Sequence, residues 1–352
     1  MREALRLLER YVSLPSGPWA KADAEKLTQA VREDFEALGL SVTSIPCEKV
    51  GPVLECRWGH GPKRLLLMGH LDTVFPREEC QPFRLEGNRV HGSGVTDMKG
   101  GVVIMHQALE AVLNCDEELG SPESGQHILR NAKECFAVLS FEPCRVGGGL
   151  VCERKGVTSF ELKCTGIRGH AGAAYKQCAS AIQELCARVT ELYTLRDDDR
   201  DISLNIGVIQ GGTAENVVAD EASLRGEFRY YDQNYQAMLM DRIRAICDKP
   251  GVPGTTTTLA FGAAHPALRR NERSLELMRM AQEIAREDGR ELHEESTGGA
   301  GDIAIAGLAG IPCLDGLGLE GEGVHTIQEV GYIDSMEPQI KLAEKLMLKL
   351  LA

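Results

Sequence analysis

The chain has 352 residues, of which 43% are hydrophobic and 26% charged, a composition that excludes a disordered or fibrous protein. Its formal net charge of −13 argues against nucleic-acid binding by simple phosphate attraction, and no apolar stretch approaches the length of a membrane span. The length exceeds the usual single core, so two domains, or one with a large insertion, are expected.

Met1 to Arg10 carries charges every few residues and reads as an amphipathic helix, without the apolar core and small-residue cleavage site of a signal peptide. The twelve cysteines are scattered, and none forms a Cys-x-x-Cys pair. They read as reduced thiols of a cytoplasmic protein, with export after removal of a signal peptide as the alternative. A second helix is expected from Ala22 to Leu38, stopped by Gly39, followed by short strands at Leu40 to Ile45 and Val53 to Trp58.

The unbroken apolar run Leu65-Leu66-Leu67-Met68, bounded by Gly61-Pro62 and Pro76, suits a strand covered on both faces, running on through Gly69-His70-Leu71-Asp72-Thr73-Val74. Alternation sets His70 and Asp72 on one face, a spacing that suits a metal-bound imidazole with a carboxylate fixing its tautomer; a strand-end histidine with a satisfied hydrogen bond is the plainer use of the same residues. Next, Val90 to Gly101 is a glycine-rich approach to a helix expected to start near Asp97 and run through Val102 to Val112. Such a loop could cradle a phosphate at the helix N-terminus, and Lys99 keeps that reading alive. The glycine spacing does not match a phosphate-binding loop, however, and Asp97 would repel the anion, so a metal ligand is the better use of Asp97.

Leu113 begins a strand-like entry to the carboxylates Asp116, Glu117 and Glu118. A helix from Gln126 to Lys133 precedes the apolar run ending in Phe141-Glu142-Pro143, where an unpaired carboxylate beside a buried strand favours a cation partner for Glu142. From Gly156 the pattern changes. Strands at Val157 to Thr165, Ile202 to Gln210, Ala222 to Tyr231 and Thr255 to Phe261, with helices at Ala179 to Leu195 and Tyr235 to Cys247, give β-α-β-β-α-β, a split antiparallel two-layer unit inserted into the first domain. The α/β pattern then resumes with a helix from Glu272 to Ala285, the loop Ser296 to Asp302, a strand at Ile311 to Leu314, the stretch to His325, and a last helix from near Met336. The expected fold class is α/β: a mainly parallel mixed sheet with helices on both faces, plus an inserted α+β ferredoxin-like domain. The expected boundaries are 1–156 and 266–352 for the sheet domain and 157–265 for the insertion.

Gathered together, His70, Asp72, Asp97, Glu117, Glu118, Glu142 and His325 supply two imidazoles and five carboxylates, nearly all just after strands. A hydrolase site built on two metals needs such a set, with one carboxylate bridging both cations and a separate acid moving protons. With Gly69-His70-Leu71-Asp72-Thr73-Val74-Phe75-Pro76, Gly94-Val95-Thr96-Asp97-Met98-Lys99-Gly100-Gly101, Asp116-Glu117-Glu118 followed by Gly120-Ser121, Phe141-Glu142-Pro143, Gly169-His170-Ala171-Gly172 and the late His325 in this order, the whole chain resembles the di-zinc aminoacyl hydrolases. That family includes glutamate carboxypeptidase, acetylornithine deacetylase, succinyl-diaminopimelate desuccinylase and the aminoacylases. The nearest likeness is to the glutamate-carboxypeptidase-like branch.

The resemblance implies that Asp97 bridges two divalent metal ions, zinc first with cobalt or manganese as alternatives, with His70 and Glu142 on one and Glu118 and His325 on the other. It further implies Asp72 as the partner of His70, Glu117 as general base, and a cis bond at Asp97-Met98. The insertion becomes a lid that forms a homodimer and lends His170 to a neighbouring subunit's site, with Asn216 beside it at the oxyanion. Arg229 and the backbone at Gly298 and Gly299 would receive a substrate carboxylate. His60, His91, His106, His127, His265 and His293 fall in no matched motif and are left as structural or surface residues.

Three departures stand out. Helix and strand run together near Leu109 to Leu113, a shortening that puts the placing of Glu117 and Glu118 in question. Cys178 and Ser180 replace a common Gly and Asn, and His265 precedes Pro266 where carboxypeptidase-like relatives often have Arg. The expected activity is hydrolysis of an amide next to a carboxylate-bearing amino acid, in a peptide or an N-acyl compound. An inactive binding or scaffold protein and a phosphate-binding enzyme are the alternatives.

Overall fold

The computed structural model describes residues 2–59, 63–108, 111–249 and 251–352. The expected turn at Gly61-Pro62, His60 and the helix-to-strand join at residues 109–110 lie outside them. The described chain divides into two compact units, one holding the N-terminal part through Arg154 with Leu268–Thr297 and Gly301–Ala352, the other Lys155–Ala267 with Gly298–Ala300.

The first unit is organised by a six-stranded sheet in the order Ser41–Ile45, Val53–Arg57, Ala111–Asn114, Leu65–His70, Ala137–Ser140 and Cys313–Leu314. Its four central and distal strands run parallel, and the first two join antiparallel. The strand Leu65–His70 shows why the apolar run is unbroken. Leu65 and Leu67 enter one core, with Leu8, Leu27, Val103, Leu277 and Leu342 from five helices, while Leu66 and Met68 enter another, with Ile128 and Ile303 from helices on the opposite face. With alternate side chains buried on both sides, each leucine contributes roughly 2 kcal/mol. A strand so placed ends where its first polar residue, His70, can face a site.

Several elements differ from expectation for definable reasons. The central strand stops at His70 rather than Val74: the Leu71 amide makes the last bond to the neighbouring strand, at the Asn114 carbonyl, and the Thr73 amide donates instead to the Ser16 carbonyl outside the sheet. Asp97 and Met98 are non-helical, and the helix, described as Gly101–Ala108, begins only at Gly101. Val112 therefore belongs to the strand Ala111–Asn114, paired with Met68, and not to a helix. A hairpin of Arg84–Glu86 and Arg89–His91, extended by Val330–Tyr332 and Gly321–Glu322, was not foreseen, because three-residue strands carry almost no periodicity. The last helix starts at Ile333. Among the described residues no helix is long and apolar enough to cross a membrane.

The second unit is a four-stranded antiparallel sheet in the order Ser203–Gly211, Glu221–Tyr230, Gly156–Thr165, Thr256–His265. Its core joins Phe160, Leu162 and Leu224 on the sheet to Leu185 and Leu192 on the helix Ala181–Tyr193 and to Leu239 and Ile243 on Asn234–Cys247. One face is packed, and Gly156–Thr165 accordingly alternates in burial. The Ser180 side chain caps the first helix by accepting the Gln183 amide.

Candidate metal centre

Three parallel strands of the first unit end side by side and hand their next polar residues to one place. Leu65–His70 delivers His70, Ala111–Asn114 leads into the turn Glu117–Leu119, and Ala137–Ser140 leads to Glu142. The fourth contribution is the turn Val95–Gly100, whose Asp97-Met98 peptide is cis. Gly101 follows because its Cα passes so close to the Phe141 carbonyl that an added Cβ would lie 2.0 Å from that oxygen.

The distances define two overlapping donor sets. His70 Nε2 lies 3.0 Å from Asp97 Oδ1 and 3.6 Å from Glu142 Oε1. His325 Nε2 lies 3.3 Å from Asp97 Oδ2 and 3.2 Å from Glu118 Oε2. Asp97 thus offers one carboxylate oxygen to each set. Glu117 joins His70 and Glu118 in a third grouping whose ligand atoms lie within 4.8 Å of one another. Two donors each about 2.1 Å from a tetrahedral cation stand about 3.4 Å apart. The observed separations of 3.0 to 3.6 Å bracket that value, so these residues fit divalent metal.

Electrostatics point the same way. Burial pushes the Glu142 carboxyl up to about 8, helped by the Asp97 charge. Burial likewise raises Glu117 well above the usual carboxylate range, with Glu142 and Asp302 adding to it, and raises Glu118. For His70 burial works downward, but Glu142, Asp72 and Asp97 outweigh it and hold the ring's pKa well above its ordinary value. Hydrogen bonds to Asp97 and Glu118 lift His325 to about 10. Burial opposes ionisation of Asp97 too, yet His325 and His70 hold its carboxyl below the usual range. Four carboxylates crowded round two imidazoles carry more negative charge than their surroundings offset, and divalent cations would supply the balance.

Asp72 does more than the sequence suggested. His70 Nδ1 is 3.1 Å from the Asp72 carbonyl and 3.4 Å from its carboxylate, which also accepts the Glu117 amide at 3.3 Å and the Glu118 amide at 3.1 Å. One side chain therefore aligns two strand ends. The acidic triplet splits accordingly: Asp116 is fully buried and accepts the Glu123 and Ser124 amides, leaving Glu117 and Glu118 to the centre. Although the join at residues 109–110 is undescribed, the strand after it is in register with Met68, Gly69 and His70, and both glutamates reach the centre. Lys99 is buried and donates to the Leu14 carbonyl, which turns it away from any phosphate.

Sequence reasoning overlooked three supports. Glu329, buried beneath the Asp97 turn, accepts its amides. Asn114 bonds Asp302 at 2.7 Å, and Arg154 is paired with Asp315 at 2.6 Å. Glu329 and Asp315 had a faint signal, acids beside apolar residues at strand ends, but nothing in the sequence names their partners.

The remaining predicted residues lie in the second unit. His170 pairs with Val217 across two short strands, its Nδ1 accepts the Gly172 and Ala173 amides at 3.0 and 3.2 Å, and the Ala171 amide donates to the Asn216 carbonyl. The Arg229 guanidinium donates to the Gly298 carbonyl at 2.7 Å and to Glu227 on its own strand at 2.7 Å. Arg229 and Gly298 are thus brought together, as are His170 and Asn216, and Gly299 follows in the same loop.

Residues 152–255 match the peptidase dimerisation domain family. Over 358 residues the chain is 29% identical to carboxypeptidase G2 of Pseudomonas sp. (strain RS-16), covering 94% of this chain and 84% of that protein. It is 27% identical over 331 residues to succinyl-diaminopimelate desuccinylase of Stenotrophomonas maltophilia (strain R551-3), covering 83% and 85%. The fold superposes on the M20 family metallo-carboxypeptidase Sso-CP2 from Sulfolobus solfataricus with a TM-score of 0.82 at 16% identity, over 99% of each chain. The chain is thus a homologue of these two hydrolases, carries a peptidase dimerisation domain, and shares its fold with M20 metallopeptidases.

Proposed function

We propose that this protein hydrolyses an amide bond next to a carboxylate-bearing amino acid, as a carboxypeptidase or an N-acyl-amino-acid deacylase. The observation that carries the reading is Asp97, which turns one oxygen to His70 and the other to His325. In this reading His70, Asp97 and Glu142 hold one divalent cation and Asp97, Glu118 and His325 the other, with zinc as the first choice. When bound, the cations polarise the scissile carbonyl and lower the pKa of water towards roughly 7.

Glu117 takes the proton from the attacking water and passes it to the leaving nitrogen. Its raised proton affinity suits a group that must take up a proton before releasing it. Asp72 holds the Glu117 backbone and His70, so base and ligand move together. His170 and Asn216 steady the oxyanion, and Arg229 with the backbone at Gly298 and Gly299 receives the substrate carboxylate, which displaces Glu227 from the guanidinium. Residues 157–265 act as lid and dimerisation domain between two copies of this chain. Support for that partner comes from the edge strand Ser203–Gly211, which leaves Ile209 58% exposed. The twelve cysteines are all free thiols, in keeping with a cytoplasmic setting.

A screen of N-acetyl, N-succinyl and folyl-type amides of amino acids, with zinc, cobalt or manganese added, tests the proposal. One class should turn over, and Glu117→Gln should bind metal normally while losing roughly 10²–10⁴-fold in kcat. Turnover that survives both a chelator and Glu117→Gln would sink it.

A further inference from the structure

The strand Val330–Tyr332 pairs antiparallel with Arg89–His91, with Val330 opposite His91. That pairing sets Glu329, the residue before one strand, beneath the turn that leaves the other. Glu329 is 3% exposed, and its carboxylate accepts three backbone amides: Gly94 at 2.9 Å, Thr96 at 2.8 Å and Asp97 at 3.1 Å. Buried amides without an acceptor are costly, so the turn keeps this shape only with a carboxylate beneath it. Gly94 has a φ of +74°, and an added Cβ would lie 2.6 Å from the Thr73 side chain, which leaves the turn little room to re-form elsewhere.

The same carboxylate belongs to the segment that carries His325. There the Thr326 amide donates to the Gly323 carbonyl and the Glu329 amide to the Thr326 carbonyl, so residues 323–329 form a hydrogen-bonded run of turns. His325 sits in it with a φ of +65°.

We propose that Glu329 is a positioning residue that locks the Asp97 turn to the His325 segment, so that both oxygens of Asp97 are aimed before a cation arrives. The proposal rests on the reading of Asp97 as the shared ligand. Glu329 touches neither imidazole and acts through the backbone. Pre-aimed donors bind metal more tightly because less ordering remains to be done on binding.

Calorimetric titration of the metal-stripped protein with zinc tests it. Glu329→Gln puts an amide NH₂ where an acceptor is needed, and zinc affinity should fall roughly 10–100-fold at both donor sets, with kcat largely restored at excess zinc. Wild-type protein that binds two zinc ions alongside a variant within twofold of it would overturn this inference and leave the donor sets standing. Wild-type protein that takes up no zinc would overturn both. A lower melting temperature with unchanged zinc affinity would mark Glu329 as merely structural and also overturn the proposal.

Hydrogen exchange on wild-type protein covers the case of a variant that does not fold. The Gly94, Thr96 and Asp97 amides should be protected in the metal-stripped protein already. Protection that arises only on adding zinc would overturn the proposal.

Discussion

The two donor sets share Asp97 yet are built differently. In the first, His70 is 2% exposed, stands at the end of a strand buried on both faces, and is held by Asp72 on its far nitrogen. In the second, the His325 side chain is 52% exposed and stands on a run of turns. Burial makes the first set rigid and its charges strongly felt; in the second, Asp97 and Glu118 are buried as well, and solvent reaches the imidazole alone, which leaves that side open. A centre made of one closed and one open half suits hydrolysis, because a fixed cation can orient while an accessible one meets water and substrate.

The sharpest way to break this comparison is to remove what the halves share. Asp97→Ala should abolish uptake of both ions and lower hydrolysis by at least the roughly 10²–10⁴-fold that loss of a general base costs, read by metal analysis and kcat. Retention of one tightly held ion would mean the halves are independent. Next comes the difference itself. In metal-stripped protein His70→Ala leaves Asp97, Glu142 and Asp72 buried without their imidazole and should cost roughly 3–5 kcal/mol of unfolding free energy. His325→Ala, at a half-exposed position, should cost no more than about 1 kcal/mol and spare one metal. Equal losses in urea denaturation would erase the distinction.

Proton linkage gives a further test. The folded pKa of Glu142 lies above its ordinary 4.5, at about 8, so between those values the folded state keeps a proton that the unfolded state has lost. Stability of the metal-stripped protein should therefore fall as pH rises through that window. His325 acts in the same direction, its contribution complete below 6.5 and lost towards about 10, though exposure weakens it. Loading with zinc should reverse the slope, because metal competes with protons for the same atoms. Melting curves with and without chelator check both signs. The smallest effect concerns the second unit, where Arg229→Ala should raise KM roughly tenfold with little change in kcat. An equal fall in kcat with unchanged KM would remove Arg229 as a carboxylate receptor.

Much of this was written in the sequence, because strands buried on both faces leave long apolar runs and the polar residues that end them stand out. His70, Glu142 and the pair Glu117-Glu118 could be picked out for that reason, and the change of pattern at Gly156 marked the insertion. Short elements could not be read. The strands Arg89–His91 and Val330–Tyr332 have three residues each, too few for any period to register, and so their pairing and the placement of Glu329 under residue 97 came only with the fold. The same holds for the division of the acidic triplet, since adjacent carboxylates look alike until the Glu123 and Ser124 amides claim Asp116. Local pattern determines which residues lie at strand ends. Which of those residues meet, and at what distance, is decided by contacts between separate parts of the chain, from that of Asp72 with Glu118 to that of Gly94 with Glu329 more than two hundred residues away, and only tertiary packing specifies those.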